Sequence, residues 1–157
     1  LEMTGLIVFD KARAGLGSLR SNTKGKTKAN GLEFSVEADV EQLNGSVFAT
    51  YTYYQHTLSA AIPQQTASLG IESDLTDRLQ AGVVASWVDQ RLLGLTVGDY
   101  TVVNTHLNYQ LSDQVKLHAR IENVFDENYF LSDFTIYGED SVKGRGRGFY
   151  GGVTVTF

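Results

Sequence analysis

Residues 115–124 read Val-Lys-Leu-His-Ala-Arg-Ile-Glu-Asn-Val, and this stretch decides the fold class. Its odd-numbered positions up to Ile121 are apolar and its even-numbered positions up to Glu122 are polar. Successive side chains of a β-strand point to opposite faces, so the pattern predicts a strand with one apolar and one polar face.

The same alternation recurs along almost the whole chain. Each repeat is close to the roughly 9–11 residues that a tilted strand needs to cross a bilayer. We therefore expect an all-β protein with about eight antiparallel transmembrane strands. Besides 115–124, the predicted strands cover residues 3–10, 32–39, 47–53, 67–72, 79–87, 101–112 and 149–157.

The predicted connections alternate between short polar turns and long links. The turns lie near residues 41–45, 74–78 and 112–114, and the links near 11–23, 56–65, 89–99 and 125–147. Bacterial outer-membrane barrels have short periplasmic turns and long extracellular loops. Aromatic residues of the apolar face also fall near the strand ends, where interfacial girdles form. These are Tyr53 and Trp87 on the long-loop side, and Tyr109 and Phe157 on the short-turn side.

Composition excludes several classes of function. The chain has no cysteine, which rules out disulfides and thiolate sites. Its formal charge of −5 argues against nucleic-acid binding, because that needs clustered cations. His56, His106 and His118 lie on separate segments without metal-ligand spacing. We expect neither an enzyme nor a bound metal or cofactor, and we interpret the charges on the polar faces as a hydrated barrel interior.

The last two strands resemble a known family. Residues 120–129 read Arg-Ile-Glu-Asn-Val-Phe-Asp-Glu-Asn-Tyr, similar to the penultimate-strand motif of TonB-dependent receptors, here Asn123, Phe125, Asp126 and Tyr129. As in that family, a loop rich in Gly and Arg at 144–148 and a final strand ending in Phe157 follow. Residues 24–33 resemble the family's Gly-Lys-…-Gly-Val-Glu strand entry, with leucine at position 32 in place of valine.

The resemblance implies a transporter of the bacterial outer membrane that imports a ferric siderophore or cobalamin with energy from the TonB complex. A family barrel has about 22 strands around a plugged lumen, so residues 1–157 would supply roughly its last third. The plug and the TonB box are expected to be absent from this chain, which starts at Leu1 without a targeting segment. The implied partners are the plug, the remaining barrel, the TonB complex, outer-membrane lipid and the barrel-assembly machinery, with Phe157 as the assembly signal.

The long loops are expected to hold the ligand, since a rigid barrel presents them to the outside. Aromatic side chains can stack on a flat metal chelate or a corrinoid, and arginine can pair with carboxylate or catecholate oxygens. Tyr129 belongs to the family motif, so the alternative to a role in ligand binding is that of a structural anchor at the outer rim. The candidate ligand-binding residues are Tyr54, His56, Arg91, Tyr129, Phe130, Tyr137, Arg145 and Arg147.

Two other interpretations remain open from the sequence. Eight is the smallest number of strands that closes into a barrel, and side chains can just fill its interior. A free-standing barrel for adhesion or membrane integrity is therefore the first alternative. The second is a soluble lipocalin-like or lectin-like binding module, in which the apolar rows would face inward.

Overall fold

The fold is built almost entirely of antiparallel strands. The computed structural model describes residues 2–4, 7–10, 19–22, 26–56, 63–89, 91–93, 95–132 and 142–157. The strands are β1 (Glu2–Thr4), β2 (Ile7–Asp10), β3 (Leu19–Asn22), β4 (Lys26–Val40), β5 (Gly45–His56), β6 (Gln65–Thr76), β7 (Leu79–Val88), β8 (Arg91–Leu93), β9 (Leu95–Val97), β10 (Tyr100–Ser112), β11 (Val115–Glu122), β12 (Phe130–Ser132), β13 (Val142–Lys143) and β14 (Gly148–Val155).

One eight-stranded sheet runs in the order β1-β4-β5-β6-β7-β10-β11-β14, and every pair of neighbours is antiparallel. Among the described residues, β1 pairs in this sheet only with β4, and β14 only with β11. The described strands therefore form an open wall and do not close on themselves as a free-standing eight-stranded barrel.

The predicted short turns are confirmed. A 3₁₀ turn, Glu41–Leu43, joins β4 to β5 and ends at Asn44, whose φ of 44° is left-handed. Asparagine tolerates this conformation better than most residues. The β6–β7 turn is held by the Thr76 hydroxyl, which accepts hydrogen bonds from the N–H groups of Arg78 and Leu79.

Separate two-stranded hairpins lie in the segments between β1 and β4, between β7 and β10, and between β11 and β14. β2 pairs with β3, β8 with β9, and β12 with β13. The prediction of one first strand over residues 3–10 is wrong at its second half, because only β1 joins the main sheet while β2 belongs to a separate hairpin. Ile7-Val8-Phe9 is a continuous apolar run, which lacks the alternation that would place it in a two-faced wall.

The apolar rows lie together on one exposed face of the sheet. Register places Val36, Ala49 and Leu69 side by side across β4, β5 and β6, and the same matching of apolar residues continues to Phe149 on β14. Leu69 is 57% exposed and Phe149 is 71% exposed. No large side chain among the described residues is fully buried. A soluble module would bury these rows in a core, so that interpretation is wrong.

The opposite face of the sheet is polar, and contacts between its side chains connect neighbouring strands. The hydroxyls of Ser68 and Ser86 lie 3.2 Å apart, and the Glu72 carboxylate lies 3.3 Å from Nε2 of His106. In the described part of the chain, no helix is both long and apolar enough to span a membrane.

Candidate functional site at the long-loop rim

Asn123, directly after β11, is the one buried polar residue among those described, with 2% of its surface exposed. Its side-chain amide donates to the carbonyl oxygens of Glu127 at 2.9 Å and Arg145 at 3.0 Å, and its Oδ1 accepts from the Glu127 N–H at 2.8 Å. Its own N–H donates to Oδ1 of Asn104 on β10 at 2.9 Å. A buried amide with all these partners ties two strands and a distant loop together.

Asp126 forms a second tie between the same segments. Its Oδ1 accepts a 2.7 Å hydrogen bond from the backbone N–H of Arg147, and its own N–H donates to the Asn123 carbonyl. Asn123 and Asp126 have φ values of 50° and 57°. Asn and Asp adopt this left-handed backbone more readily than other non-glycine residues, which explains these residue types at these positions.

Tyr129 completes the arrangement with an aromatic contact. Its ring lies 4.3 Å, between centroids, from the ring of Tyr100 at the start of β10. On the loop side it fills the space where a side chain at position 144 would lie, so a larger residue there would have to displace the ring. The Gly144 N–H also donates to the Tyr129 carbonyl at 2.9 Å. We call Asn123, Asp126, Tyr129, Gly144 and Tyr100 the rim lock.

The rim lock gives most residues of the family motif a structural role. Phe125, its apolar member, is 73% exposed and takes no part in the lock. Hydrogen bonds of the rim lock fix the backbone at residues 144, 145 and 147. The side chains of Arg145 and Arg147 remain exposed. Two arginines on a fixed backbone can pair with oxygen anions at a small entropic cost.

Tyr129 is therefore expected to act through its ring and not through its hydroxyl. Tyr129→Phe should leave protease resistance of the 144–148 loop unchanged, because the contacts with Tyr100 and Gly144 are kept. Tyr129→Ala should expose the loop and lower the free energy of local opening by roughly 2–4 kcal/mol. Limited proteolysis followed by mass spectrometry checks both, and equal cleavage of the two variants would contradict the ring's role.

The other predicted ligand-binding residues have different surroundings. Phe130 lies on β12, with the Lys143 ammonium 5.6 Å from its ring centroid. The Tyr54 hydroxyl, near the end of β5, donates a 2.6 Å hydrogen bond to the Glu33 carboxylate on the polar face. The structure thus groups Tyr129, Arg145 and Arg147 around the rim lock and places Tyr54 on the polar wall.

The three remaining candidates are His56, Arg91 and Tyr137. The backbone of His56 ends β5 and pairs with Ala29, and that of Arg91 begins β8. Tyr137 lies outside the described residues. Within the described part of the chain, no group of three or more His, Cys, Asp or Glu side chains is arranged to hold a metal ion.

Sequence reasoning missed Asn104 and Tyr100 as members of the site. Both lie on a strand whose alternation accounts for them as ordinary polar-face residues, and no local pattern signals their contacts with residues 19–29 positions away. It also missed the stacking of Arg120, whose guanidinium lies 4.8 Å from the Tyr150 ring centroid and 3.1 Å from the Glu122 carboxylate.

Comparison with solved structures identifies the fold. The chain superimposes on the ferric-catecholate import receptor Fiu from E. coli K12 with a TM-score of 0.74 at 19% identity, covering 99% of this chain and 24% of that one. The copper transporter OprC gives 0.80 at 20% identity, with 99% and 27% covered. The ferripyoverdine receptor of the Pseudomonas aeruginosa outer membrane gives 0.75 at 18% identity, with 98% and 23% covered. The chain thus spans about a quarter of each of these proteins.

No curated protein matches the sequence. The family described as "TonB dependent receptor-like, beta-barrel" matches residues 2–124, which is well over half of the chain. The match covers β1 to β11, which include seven of the eight strands of the main sheet. The chain belongs to the TonB-dependent receptor-like β-barrel family, and it is a protein of the bacterial outer membrane.

Proposed function

We propose that this chain forms part of the wall and the extracellular loops of an active transporter that imports a ferric siderophore with TonB-derived energy. The observation that carries the proposal is the family match over residues 2–124, on a sheet whose apolar face is exposed in register from β4 to β14. Such a face is suited to lipid and leaves the polar face to line a lumen.

The open wall supports a role within a larger barrel. β14 presents unpaired backbone groups along one edge in the described structure, and these need a partner strand inside a membrane. We infer that further strands of the same receptor complete the wall and that a plug occupies the lumen. The plug would carry the TonB contact, and Phe157, which is fully exposed at the short-turn end, would serve the barrel-assembly machinery.

The long-loop rim is the proposed capture surface for the ligand. Arg145 and Arg147 project from the backbone that the rim lock fixes, and Phe130 pairs in register with Lys143, two residues before Arg145. Guanidinium groups bind carboxylate and catecholate oxygens through paired hydrogen bonds, which suits an anionic ferric chelate. Stacking on an exposed aromatic ring would suit a corrinoid instead, so the ligand class is decided by experiment.

Uptake by cells tests the function directly. The full-length receptor that contains this chain is produced in a strain without its own copy and is offered radioactive ferric catecholate, cobalamin or copper. We expect accumulation of the ferric chelate that disappears on deletion of either the receptor or TonB. Accumulation of cobalamin or copper alone would replace the proposed ligand, and uptake that persists without TonB would contradict active transport.

A double variant tests the capture surface within the same assay. Arg145→Gln with Arg147→Gln should raise the KM for uptake about tenfold with little change in the maximal rate, since it removes binding energy and not a transport step. Arg78→Gln, an exposed arginine at the opposite rim, is the matched control and should leave KM unchanged. Equal KM values for all three proteins would remove the arginines from ligand capture.

A further inference from the structure

Aromatic side chains on the polar face lie over glycines of the neighbouring strand. Phe48 on β5 and Gly70 on β6 are opposite each other in register, as are His106 on β10 and Gly82 on β7. In both pairs the ring occupies the space that a β-carbon of the glycine would take. The rings therefore lie against the wall, in the positions that the missing side chains leave free.

The arrangement extends from β4 to β14. His118 on β11 covers Gly152 on β14, and Tyr54 on β5 covers Gly31 on β4, again in register. All these rings belong to the polar face, because they share it with Glu33, Ser68 and Arg120 in the register of their strands.

Gly151 shows that the feature belongs to the polar face and not to glycine in general. It is adjacent to Gly152 on β14 but points to the apolar face, opposite Ala119. A β-carbon there would meet only the His118 carbonyl oxygen, at an ordinary 3.7 Å. No ring covers it, so its side-chain position is open.

One of these rings reaches a third strand. Glu72, Gly82 and His106 form a row across β6, β7 and β10. Because Gly82 has no side chain, Nε2 of His106 extends over it to within 3.3 Å of the Glu72 carboxylate. The imidazole therefore lies over Gly82 and contacts Glu72 on the strand beyond it.

The distance by which such a ring projects from the sheet matters when a folded domain packs against the wall. A ring displaced by a new side chain at the glycine must rotate away from the sheet, towards the lumen. Packed protein interfaces have little free volume, and even an added methylene group forces side chains or backbone to move.

We propose that Gly70, Gly82 and Gly152 set the clearance of the lumen wall, so that a folded plug fits against it and can move during transport. This inference rests on the proposed function, which places a plug in the lumen. It assigns these glycines a role in transport in addition to their place in the strands.

Valine substitutions in the full-length receptor test the proposal. In Gly82→Val and Gly152→Val, heat-modifiable migration on gels should remain that of a folded barrel, because the atoms displaced belong to side chains. We expect the initial rate of ferric-chelate uptake to fall about tenfold, which corresponds to about 1.4 kcal/mol on the transport barrier. Exclusion of a large antibiotic should weaken as the plug is displaced.

Two controls separate clearance from strand stability. Gly151→Val, on the apolar face, should leave uptake, folding and antibiotic exclusion unchanged. Gly82→Val combined with His106→Ala removes the displaced ring and should restore uptake and exclusion, although the contact with Glu72 is lost.

Two outcomes overturn the proposal. Wild-type uptake and exclusion in Gly82→Val would mean that clearance is not limiting. A loss of folded barrel in proportion to the loss of uptake would show that the ring and glycine serve stability alone. If the unmodified receptor transports no ferric chelate, the proposed function fails, while antibiotic exclusion still measures the effect of the glycines on plug packing.

Discussion

Asn123→Ala is expected to open the long-loop rim more than any other single substitution in it. The change leaves the carbonyls of Glu127 and Arg145 and the N–H of Glu127 without their partner, and it puts alanine at a φ of 50°. Unsatisfied buried groups and the left-handed backbone together predict a loss of roughly 3–4 kcal/mol. Hydrogen exchange of peptides covering residues 142–149 should accelerate about a hundredfold or more.

Three further variants divide this effect into its parts. Asn123→Gly removes the same side-chain bonds but accepts the backbone conformation, so it should recover about 1–2 kcal/mol relative to alanine. Asn123→Asp keeps the acceptor for Glu127 and loses both donors, and should fall between alanine and the wild type. Asn128→Ala changes an exposed asparagine of the same segment and should leave exchange unchanged. Wild-type exchange in Asn123→Ala would contradict the rim lock.

An arginine on the apolar face is expected to destabilise the barrel strongly, whereas the adjacent position on the polar face should accept one. Val36 on β4 lies on the apolar face and is 46% exposed. It pairs with Ala49 on β5, which in turn pairs with Leu69 near the middle of β6. Val36→Arg should cost about 2–4 kcal/mol, as for a charge placed in the bilayer near its midplane.

Ser35→Arg is the matched control on the same strand. Its side chain points to the polar face between Glu33 and Glu37, whose carboxylates would favour a cation. Urea unfolding of the receptor in lipid vesicles measures both free energies. Similar losses for the two variants would show that the faces do not differ in environment.

The alternation of the sequence predicted the faces and the turns because that information is local. Leu117, Ala119 and Ile121 identify the apolar side of β11 without reference to another strand, and short polar segments can only join adjacent antiparallel strands. The first strand was mispredicted because an apolar run without alternation does not say which sheet it joins.

The site was only partly predictable for the opposite reason. The family motif indicated that Asn123 and Asp126 matter, but their partners at positions 104, 145 and 147 depend on how the chain folds back. The glycines under Phe48 and His106 have no local signature either. They acquire their meaning only from strand register, which brings each ring opposite its glycine.

The orientation of the wall underlies every proposal made for this chain, and spin-label accessibility along β11 measures it most directly. Nitroxides are placed one at a time at positions 115–122 of the receptor in lipid vesicles, and collisions with oxygen and with a water-soluble nickel complex are recorded. We expect high oxygen collision at Leu117, Ala119 and Ile121, and high nickel collision at Lys116, His118 and Arg120. Nickel collision at the apolar positions, or no alternation between successive residues, would contradict this orientation.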